Sequence, residues 1–318
     1  VQTGNLELGF TGAEANTAVS LSNFGLPASV VSRVPSHEIG DACIFFLQRY
    51  GVDTSRIVRG GGRLGVYYLE TGSCQRPSKV IYDRNHSSFA EITPETVNWE
   101  KVFADCRWFH VSGTAPAISR TSAETVLEAC RTARQMKIPA SIDMNYRSKL
   151  WQWDQKLHPR KLAEKTMRKI LPFIDVIIGN EEDAECILGI RAENTDVSKG
   201  VLDTGRYPDV ARAVAREFPQ ASHVAITLRE SISASHNRWG GMLYSRRNDS
   251  ACFAPSSGGS YTPYEITHIV DRVGGGDSFS AGLIYGLLAL GSDRESLNFA
   301  AAPSCLKHTI PGDFNLVS

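Results

Sequence analysis

From residue 98 onward, short apolar segments typical of buried strands alternate with segments typical of helices, and this alternation limits the possible folds more than any other feature. Strands are predicted over residues 108–112, 140–144, 175–178 and 223–228, and helices over 122–136, 159–170, 208–218, 279–290 and 295–307. Strands separated by helices of about 10–15 residues form βαβ units, and hence a parallel sheet covered on both faces. Ligands of such α/β folds bind beyond the carboxyl ends of the strands, so residues just after strands are the candidates for chemistry.

The first part of the chain has a different order of elements. Helices are predicted over residues 14–24 and 39–50, with a buried strand over 28–34 between them. Short strands over 57–58, 65–70 and 80–83 follow among turns rich in Gly, Ser and Pro, which predicts an antiparallel patch inserted between helical regions. Residues 191–206 are polar and rich in turn-forming residues, and they predict a long surface loop.

Charge and cysteine content narrow the class of partner. The 318-residue chain has 34 Lys plus Arg and 34 Asp plus Glu, so it has no net formal charge with which to attract nucleic acid or anionic lipid. Its 7 cysteines include no Cys-x-x-Cys pair, which favours reduced thiols in the cytoplasm over disulfides or a zinc site. No apolar run reaches the roughly 18 residues of a membrane span, and we expect no secretory leader. A cytoplasmic protein with a small-molecule partner, no nucleic acid and no membrane is therefore predicted.

The segment IVDRVGGGDSFSAG, residues 269–282, is the strongest candidate for chemistry. Gly274, Gly275 and Gly276 lack Cβ atoms, and their N–H groups at the start of a predicted helix form an anion site that the helix dipole favours. Asp277 beside them could take a proton from an attacking hydroxyl. The alternative is a glycine turn in which Asp277 only stabilises the first helical turn. No Gly-x-x-x-x-Gly-Lys-Ser/Thr segment occurs, which excludes a P-loop, and a dinucleotide-binding fold is only weakly supported.

Residues 270–277, VDRVGGGD, resemble the Asp-Thr-x-Gly-Ala-Gly-Asp signature of the PfkB (ribokinase-like) carbohydrate kinases. Residues 11–16, TGAEAN, are similar to the Gly-Gly-Ala-Glu-Ala-Asn sugar-binding segment of the same family. Within that family, residues 143–147 (DMNYR), 179–183 (GNEED) and 306–313 (LKHTIPGD) are most similar to 2-keto-3-deoxygluconate kinases. The resemblance covers essentially the whole chain, in the same order.

The resemblance implies a ribokinase-like, three-layer α/β/α fold with a mostly parallel central sheet and a small antiparallel β lid. It places a lid strand at residues 1–10, the first part of the main domain at 11–56, the β lid at 57–90, and the rest of the main domain, with the nucleotide and catalytic sites, at 91–318. The family's first strand and closing helix are missing from this sequence, and we expect that both were trimmed. An exposed lid edge predicts a homo-oligomer that pairs through the lid.

The implied activity is transfer of the ATP γ-phosphoryl group to the 6-hydroxyl of 2-keto-3-deoxygluconate or a similar sugar acid. The alternatives are a fructokinase- or ribokinase-like kinase of a neutral sugar, a non-catalytic sugar-acid sensor with the same fold and, more distantly, a dehydrogenase. The resemblance makes Asp277 the base that deprotonates the attacking alcohol, and makes the amides of Gly274, Gly275 and Gly276 the anion hole.

The resemblance also assigns a sugar site, made of Gly12, Asn16, Tyr67, Tyr82, Arg84, Arg147 and Asp313. Arg147 is expected to face the carboxylate, because a guanidinium binds carboxylates in a bidentate way, and Asp313 to hold a hydroxyl. Without the resemblance, Tyr67 and Tyr82 could be ordinary strand packing. Arg84 and Arg147 could likewise be solvated surface charges. Asn16 is a poor helix former, so its place inside a helix needs a reason.

For the nucleotide side, the resemblance implies ATP and Mg²⁺ and allows a monovalent cation. The residues it assigns there are Asn180, Asp183, Thr227, Arg229, Ser304, Lys307 and His308. Asp183 is expected to meet Mg²⁺ through water, because Mg²⁺ keeps several waters and bridges phosphates. Asn180 could equally be an ordinary helix N-cap, and His308 a helix-terminal cation. The chain departs from the family pattern at Thr11, Gly275, Asp183 and residues 227–230.

Overall fold

The computed structural model describes residues 4–190 and 205–318, so the surface loop predicted over 191–206 lies almost wholly outside the described residues. The strands are β1 (Ser32–Val34), β2 (Ile57–Arg59), β3 (Val66–Glu70), β4 (Lys79–Asp83), β5 (Phe109–Ser112), β6 (Ala140–Asp143), β7 (Val176–Gly179), β8 (His223–Ser233), β9 (His236–Ser245), β10 (Ser250–Ala254), β11 (Ser256–Ser257), β12 (Ser260–Tyr261) and β13 (Tyr264–Ile266). The α-helices are α1 (Ala13–Asn23), α2 (Glu38–Gln48), α3 (Trp99–Phe103), α4 (Arg120–Gln135), α5 (Pro159–Ile170), α6 (Glu181–Asp183), α7 (Tyr207–Glu217), α8 (Gly275–Ala289) and α9 (Asp293–Lys307).

The central layer is a mixed sheet in the order β10-β9-β8-β7-β6-β5. Strands β5 to β8 pair in parallel, with Ile142 opposite Val111 on one side and Ile177 on the other. Strand β9 returns antiparallel to β8, and both β10 and β13 pair antiparallel with β9. The sequence pattern predicts only the parallel half of the sheet. Gly240 and Gly241 interrupt the strand-like pattern of β9, and this strand is stabilised by pairing with its neighbouring strands.

Helices cover both faces of this sheet because side chains alternate between its faces. Ile177 lies in the cluster that includes Met167 of α5, whereas its neighbour Ile178 lies in the cluster that includes Phe279 of α8 and Leu297 of α9. Each of these buried side chains contributes about 1.5–3 kcal/mol relative to an exposed one. Among the described residues, no helix combines the length and the apolar character needed to cross a membrane.

Strands β3 and β4 form a separate two-stranded antiparallel sheet, with Tyr67 opposite Tyr82. The predicted lid needs two corrections. Strand β2, predicted in the antiparallel patch, pairs in parallel with β1, and Ile57 is buried in the same cluster as Val34. Residues 4–10, predicted as a lid strand, lie in no strand, because no described segment pairs with their backbone N–H and C=O groups.

The predicted fold class is confirmed, with helices on both faces of a mixed sheet with a parallel core and a small antiparallel sheet beside it. Helix α5 has the predicted bounds, but α8 begins at Gly275, earlier than predicted. This earlier start is important for the site, since it places Asp277 in the first turn of the helix. The grouping of residues 11–56 and 91–318 into one main domain stays a prediction.

Candidate active site

The glycine segment turns directly into helix α8. Gly274 is the N-cap residue and has a left-handed φ of 78°, and the N–H of Ser278 donates to its carbonyl oxygen at 2.8 Å. A Cβ atom at Gly274 would lie 2.0 Å from the carbonyl oxygen of Asp313, so only glycine fits there. At Gly276 the nearest atom to a Cβ would be Oδ2 of Asp143, 3.8 Å away. The N–H groups before Ser278 have no acceptor within the helix, so this end of α8 offers donors to an anion.

Asp277 is a half-buried carboxylate with one side-chain donor. Asn16 Nδ2 donates to its Oδ2 at 2.6 Å. Burial raises the pKa of Asp277, the Asn16 hydrogen bond lowers it, the charges of Glu14 and Asp313 raise it again, and the resulting pKa is about 7. A carboxylate with this pKa can accept a proton near neutral pH and release it again, which is what a general base requires.

Asn16 is held by a residue that the sequence marks only as a departure from the family pattern. Thr11 Oγ1 lies 2.7 Å from Asn16 Oδ1 and 2.6 Å from Asp313 Oδ2, so its hydroxyl bridges the start of α1 and the loop after α9. The backbone N–H of Gly12 also points to Asn16 Oδ1, at 3.5 Å. This contact explains why a poor helix former occupies α1: its side chain joins the Thr11 hydroxyl to the carboxylate of Asp277.

The small antiparallel sheet places three of the predicted sugar-site residues together. Tyr67 OH donates to Asp313 Oδ2 at 2.6 Å. The guanidinium of Arg84 lies 5.8 Å from the ring centre of Tyr67 and 5.3 Å from that of Tyr82, within the range of cation–π contacts. Burial and the charge of Asp313 raise the pKa of Tyr67, so the phenol stays a donor. The two tyrosines are therefore more than strand packing, since they connect the sheet to Asp313 and Arg84.

Asn180 and Asp183 form a reciprocal cap after β7. The N–H of Asp183 donates to Asn180 Oδ1 at 2.8 Å, and the N–H of Asn180 donates to Asp183 Oδ2 at 3.0 Å. The other carboxylate oxygen, Asp183 Oδ1, accepts from the N–H of Tyr146 at 2.8 Å. This is the capping alternative foreseen from the sequence, and it ties the ends of β6 and β7 together. A role of either residue toward a nucleotide stays a prediction.

Asp143, the last residue of β6, is a buried acid that the sequence-based assignment of the site omits. Burial raises its pKa well above the usual value, and the charges of Asp183 and Asp277 raise it further. Burial likewise raises the pKa of Asp183. An acidic residue that ends a buried parallel strand is a signal visible in the sequence, because the carboxyl edge of the sheet is where ligands bind.

Arg147 is exposed at the mouth of this acidic group. Its Nη1 donates to the carbonyl oxygen of Tyr146 at 3.3 Å. Its charge lowers the pKa of Asp143, of Asp183 and of Asp277, so it is near all three acids. The guanidinium is therefore available to a ligand that enters from solvent.

On the other side of the glycine segment, Ser304 and His308 are buried. Ser304 Oγ donates to the carbonyl oxygen of Gly275 at 2.6 Å, and His308 Nδ1 lies 2.9 Å from the carbonyl oxygen of Ser304. Burial lowers the pKa of His308 to about 4, and its ring centre lies 5.1 Å from that of Trp239. The imidazole is therefore neutral at physiological pH, which does not fit the helix-terminal cation.

The remaining residues predicted at the nucleotide are less closely grouped. Thr227 Oγ1 lies 3.5 Å from the carbonyl oxygen of Gly179, and Arg229 further along β8 is exposed. Lys307 needs a correction, since it has no exposed surface and its Nζ donates to the carbonyl oxygen of Ile310 at 3.0 Å. A side chain with no accessible surface does not line an open adenine pocket.

The described part of the chain contains neither a cluster of three metal-ligating side chains nor a disulfide. Within residues 4–190 and 205–318, no group of three or more His, Cys, Asp or Glu side chains could hold a metal ion. The 7 cysteines are all free thiols.

A family model described as pfkB family carbohydrate kinase matches residues 1–315. A curated relative, the 2-dehydro-3-deoxygalactonokinase of Haloferax volcanii, is 28% identical over 314 residues, which cover 99% of this chain and 86% of the relative.

Solved structures are similar over the same extent. The crystal structure of 2-dehydro-3-deoxygluconokinase from Thermotoga maritima has a TM-score of 0.88 and 42% identity, and the match covers 98% of this chain and 89% of that one. An Escherichia coli protein assigned as ribokinase II, in complex with ATP and Mg²⁺, has a TM-score of 0.75 at 19% identity, with 100% and 88% covered. At that identity the second likeness concerns the fold alone, and it confirms the ribokinase-like architecture.

Proposed function

This chain belongs to the PfkB family of carbohydrate kinases, and from that premise we propose that it transfers the ATP γ-phosphoryl group to the 6-hydroxyl of 2-keto-3-deoxygluconate or a similar sugar acid. The single observation that carries the proposal is the half-buried Asp277 carboxylate, with a pKa raised to about 7, beside the amides that begin α8. The names of the similar proteins from Haloferax volcanii and Thermotoga maritima support a keto-deoxy sugar acid as the acceptor.

In the proposed reaction, Asp277 takes the proton of the attacking hydroxyl while the oxygen–phosphorus bond forms. The bond between the γ-phosphorus and the bridging oxygen breaks, and ADP leaves with that electron pair. The amides of Gly274, Gly275 and Gly276 at the positive end of α8 would stabilise the negative charge that spreads over the phosphoryl oxygens. Asn16 holds the carboxylate oxygen in place during the transfer, because its amide donates to Oδ2.

The sugar would lie between α1, the β3–β4 sheet and Arg147. Asp313 already accepts from Tyr67 and Thr11, so its free lone pairs would accept a sugar hydroxyl. Gly12 and Asn16 border the same space, and Arg84 lies over the two tyrosines. The exposed guanidinium of Arg147 would pair with the acid's carboxylate.

The nucleotide would lie on the other side of the glycine segment. The residues proposed to border it are Asn180, Asp183, Thr227, Arg229, Ser304 and His308. Mg²⁺ fits this chemistry, since Asp143 and Asp183 are buried acids whose mutual repulsion a cation would relieve. Both carboxylates would hold the ion through water, and the ion would neutralise phosphate charge when bound.

An ATP-consumption screen over a panel of sugar acids and neutral sugars tests the substrate. Arg147→Ala should raise KM for a sugar acid by on the order of tenfold or more, whereas a neutral sugar would tolerate it. Arg107→Ala, an exposed arginine before the amino end of β5, is the matched control. Equal effects of Arg147→Ala on acids and neutral sugars would favour the fructokinase- or ribokinase-like alternative.

Asp277→Asn separates the kinase from a non-catalytic sensor. It should abolish turnover and spare sugar binding measured by calorimetry, because the amide keeps the shape but cannot accept the proton. A wild-type protein that binds sugar acids but consumes no ATP with any of them would overturn the kinase proposal. An NAD(P)H fluorescence titration without a response would dismiss the dehydrogenase.

We also propose that the chain pairs with a second copy through the β3–β4 sheet, and that it is cytoplasmic. The face of that sheet turned from the site carries Val66, Tyr68 and Ile81, which are 36%, 42% and 49% exposed. A charge on this face, as in Ile81→Lys, should shift sedimentation toward the monomer. The 7 free thiols fit a reducing compartment.

A further inference from the structure

Lys307, the last residue of α9, is a lysine without exposed surface, and it is one of the largest fully buried side chains of the described residues. Its Nζ donates to the carbonyl oxygen of Ile310 at 3.0 Å. Across residues 4–190 and 205–318, no direct ion pair of Lys307 with a carboxylate is found. Taking an ammonium out of water costs several kcal/mol, so it persists only where neighbouring oxygens and charges replace its hydration.

Three carboxylates act on this ammonium through their charge. Burial lowers the pKa of Lys307, and the charges of Asp271, Asp313 and Asp277 raise it. These acids come from the turn before α8, from the loop after α9 and from the first turn of α8 itself. The surroundings therefore have the character of a cation site, and the cation is a side chain of the same protein.

The ammonium binds one of two loops that meet beside the start of α8. Asp271 joins them, because its Oδ1 accepts from the N–H of Val273 at 3.0 Å and its Oδ2 accepts from the N–H of Gly312 at 3.2 Å. Ile310 belongs to the loop after α9, so Lys307 binds that loop directly. Its charge also attracts Asp271 in the turn before α8. Gly274 packs closely against the loop after α9, since a Cβ there would lie 2.0 Å from the carbonyl oxygen of Asp313, so the anion site borders the place where the two loops meet.

We propose that the Lys307 ammonium is a built-in monovalent cation that holds the two loops together, so that turnover needs no added K⁺ or other monovalent cation. The proposal rests on the kinase function proposed above and makes Lys307 a positioning residue. A lysine ammonium is a compact point charge with three donors, and here it donates to a carbonyl oxygen and feels the charge of nearby carboxylates, the two kinds of oxygen that an alkali cation takes as ligands. If Lys307 only stabilised the fold, an added monovalent cation would not replace it.

The test begins with the wild-type enzyme. Its rate should change by less than about twofold when KCl is added to a buffer whose only other cations are Tris and Mg²⁺. Lys307→Ala leaves a hole at the site and should lower kcat by about 100-fold, because the loops lose their position. KCl or methylammonium chloride should restore a large part of this loss.

Two matched variants make the rescue specific. Lys307→Met fills the same space with an uncharged chain, so cations should not restore its activity. Lys169→Ala removes an exposed lysine from the last turn of α5 and should leave both rate and cation response unchanged. Wild-type enzyme that KCl activates several-fold would overturn the proposal, as would a folded, inactive Lys307→Ala that no cation restores.

Thermal unfolding keeps this test apart from the proposed function. If the wild type phosphorylates no sugar in the screen, the kinase proposal fails, and the melting temperature then carries the test. A melting temperature of Lys307→Ala that rises when KCl is added, with no such rise for Lys307→Met, would support the built-in cation. Equal melting temperatures of Lys307→Ala with and without KCl would overturn it. If Lys307→Ala does not fold, the melting temperature and rate of the wild type decide, since a marked rise of either with K⁺ would contradict the proposal.

Discussion

Asn16 of helix α1 donates a 2.6 Å hydrogen bond to Oδ2 of Asp277 in helix α8, across 261 residues of sequence. This bond stabilises the ionised carboxylate and so lowers the pKa of Asp277, whereas burial raises it. The resulting pKa is about 7. The proton affinity of the proposed base is therefore set by two helices from opposite ends of the chain.

The first prediction concerns the pH dependence of the rate. Because the base must be ionised, kcat/KM should rise with pH along a limb with an apparent pKa of about 7. Asn16→Leu removes the donor and should move this limb upward by about 1–2 pH units. Initial rates across the pH range check it, with Asn23→Leu on the same helix as control. A limb that Asn16→Leu leaves in place would contradict the assignment of the limb to Asp277.

The second prediction concerns stability. The pKa of Asp277 rises from 3.8 to about 7 on folding, so the folded protein keeps a proton that the unfolded chain releases. Wild-type stability therefore falls as pH rises from about 4 to about 7, whereas asparagine does not titrate. Asp277→Asn should be more stable than the wild type at about pH 8, by roughly 1–4 kcal/mol, with the difference closing near pH 4.

Urea unfolding at several pH values measures this difference. Glu100→Gln, which replaces an exposed acid of α3, is the control for a general effect of removing one negative charge. An Asp277→Asn protein less stable than the wild type at every pH would show that burial does not penalise the carboxylate.

The third prediction compares two neighbouring glycines. Gly274→Ala needs a left-handed φ of 78° and places Cβ 2.0 Å from the carbonyl oxygen of Asp313, so it should lose stability by about 2–4 kcal/mol. Gly276→Ala meets no atom closer than 3.8 Å and should keep or slightly raise the melting temperature, yet lose activity. Its methyl group would occupy the space proposed for the phosphoryl group. A fully active Gly276→Ala would contradict that placement.

The fourth prediction concerns Thr11. Thr11→Val keeps the shape but removes the hydroxyl that joins Asn16 and Asp313. We expect kcat/KM for the sugar to fall by about tenfold, mostly through KM, because two sugar-site side chains lose a common partner. Thr11→Ser keeps the hydroxyl and should retain most of the activity. Steady-state kinetics with the best sugar of the screen measure both, and equal kinetics of the two variants would show that the hydroxyl has no part.

Several particular residues show where sequence reasoning ends. The strand–helix alternation after residue 98 is strong enough to predict the bounds of α5, since apolar periodicity and Pro159 act within a turn or two. The antiparallel strand β9 is not predictable in this way, because the ladder to β8 stabilises it. Strand β2 has the same local pattern in a parallel or an antiparallel pair, and only packing against β1 decides.

The sequence by itself determined the kind of sheet, the glycine turn and the acid that follows it, because these depend on side-chain periodicity and on the absence of Cβ atoms along one short segment. Only the tertiary structure decided that Thr11 and Asp313 meet, that Asp143 joins the acidic group, and that Lys307 is buried rather than lining a pocket. The physical reason is that burial and long-range contact set both proton affinity and hydrogen-bond partners, and neither exists until the whole sheet and its helices have packed.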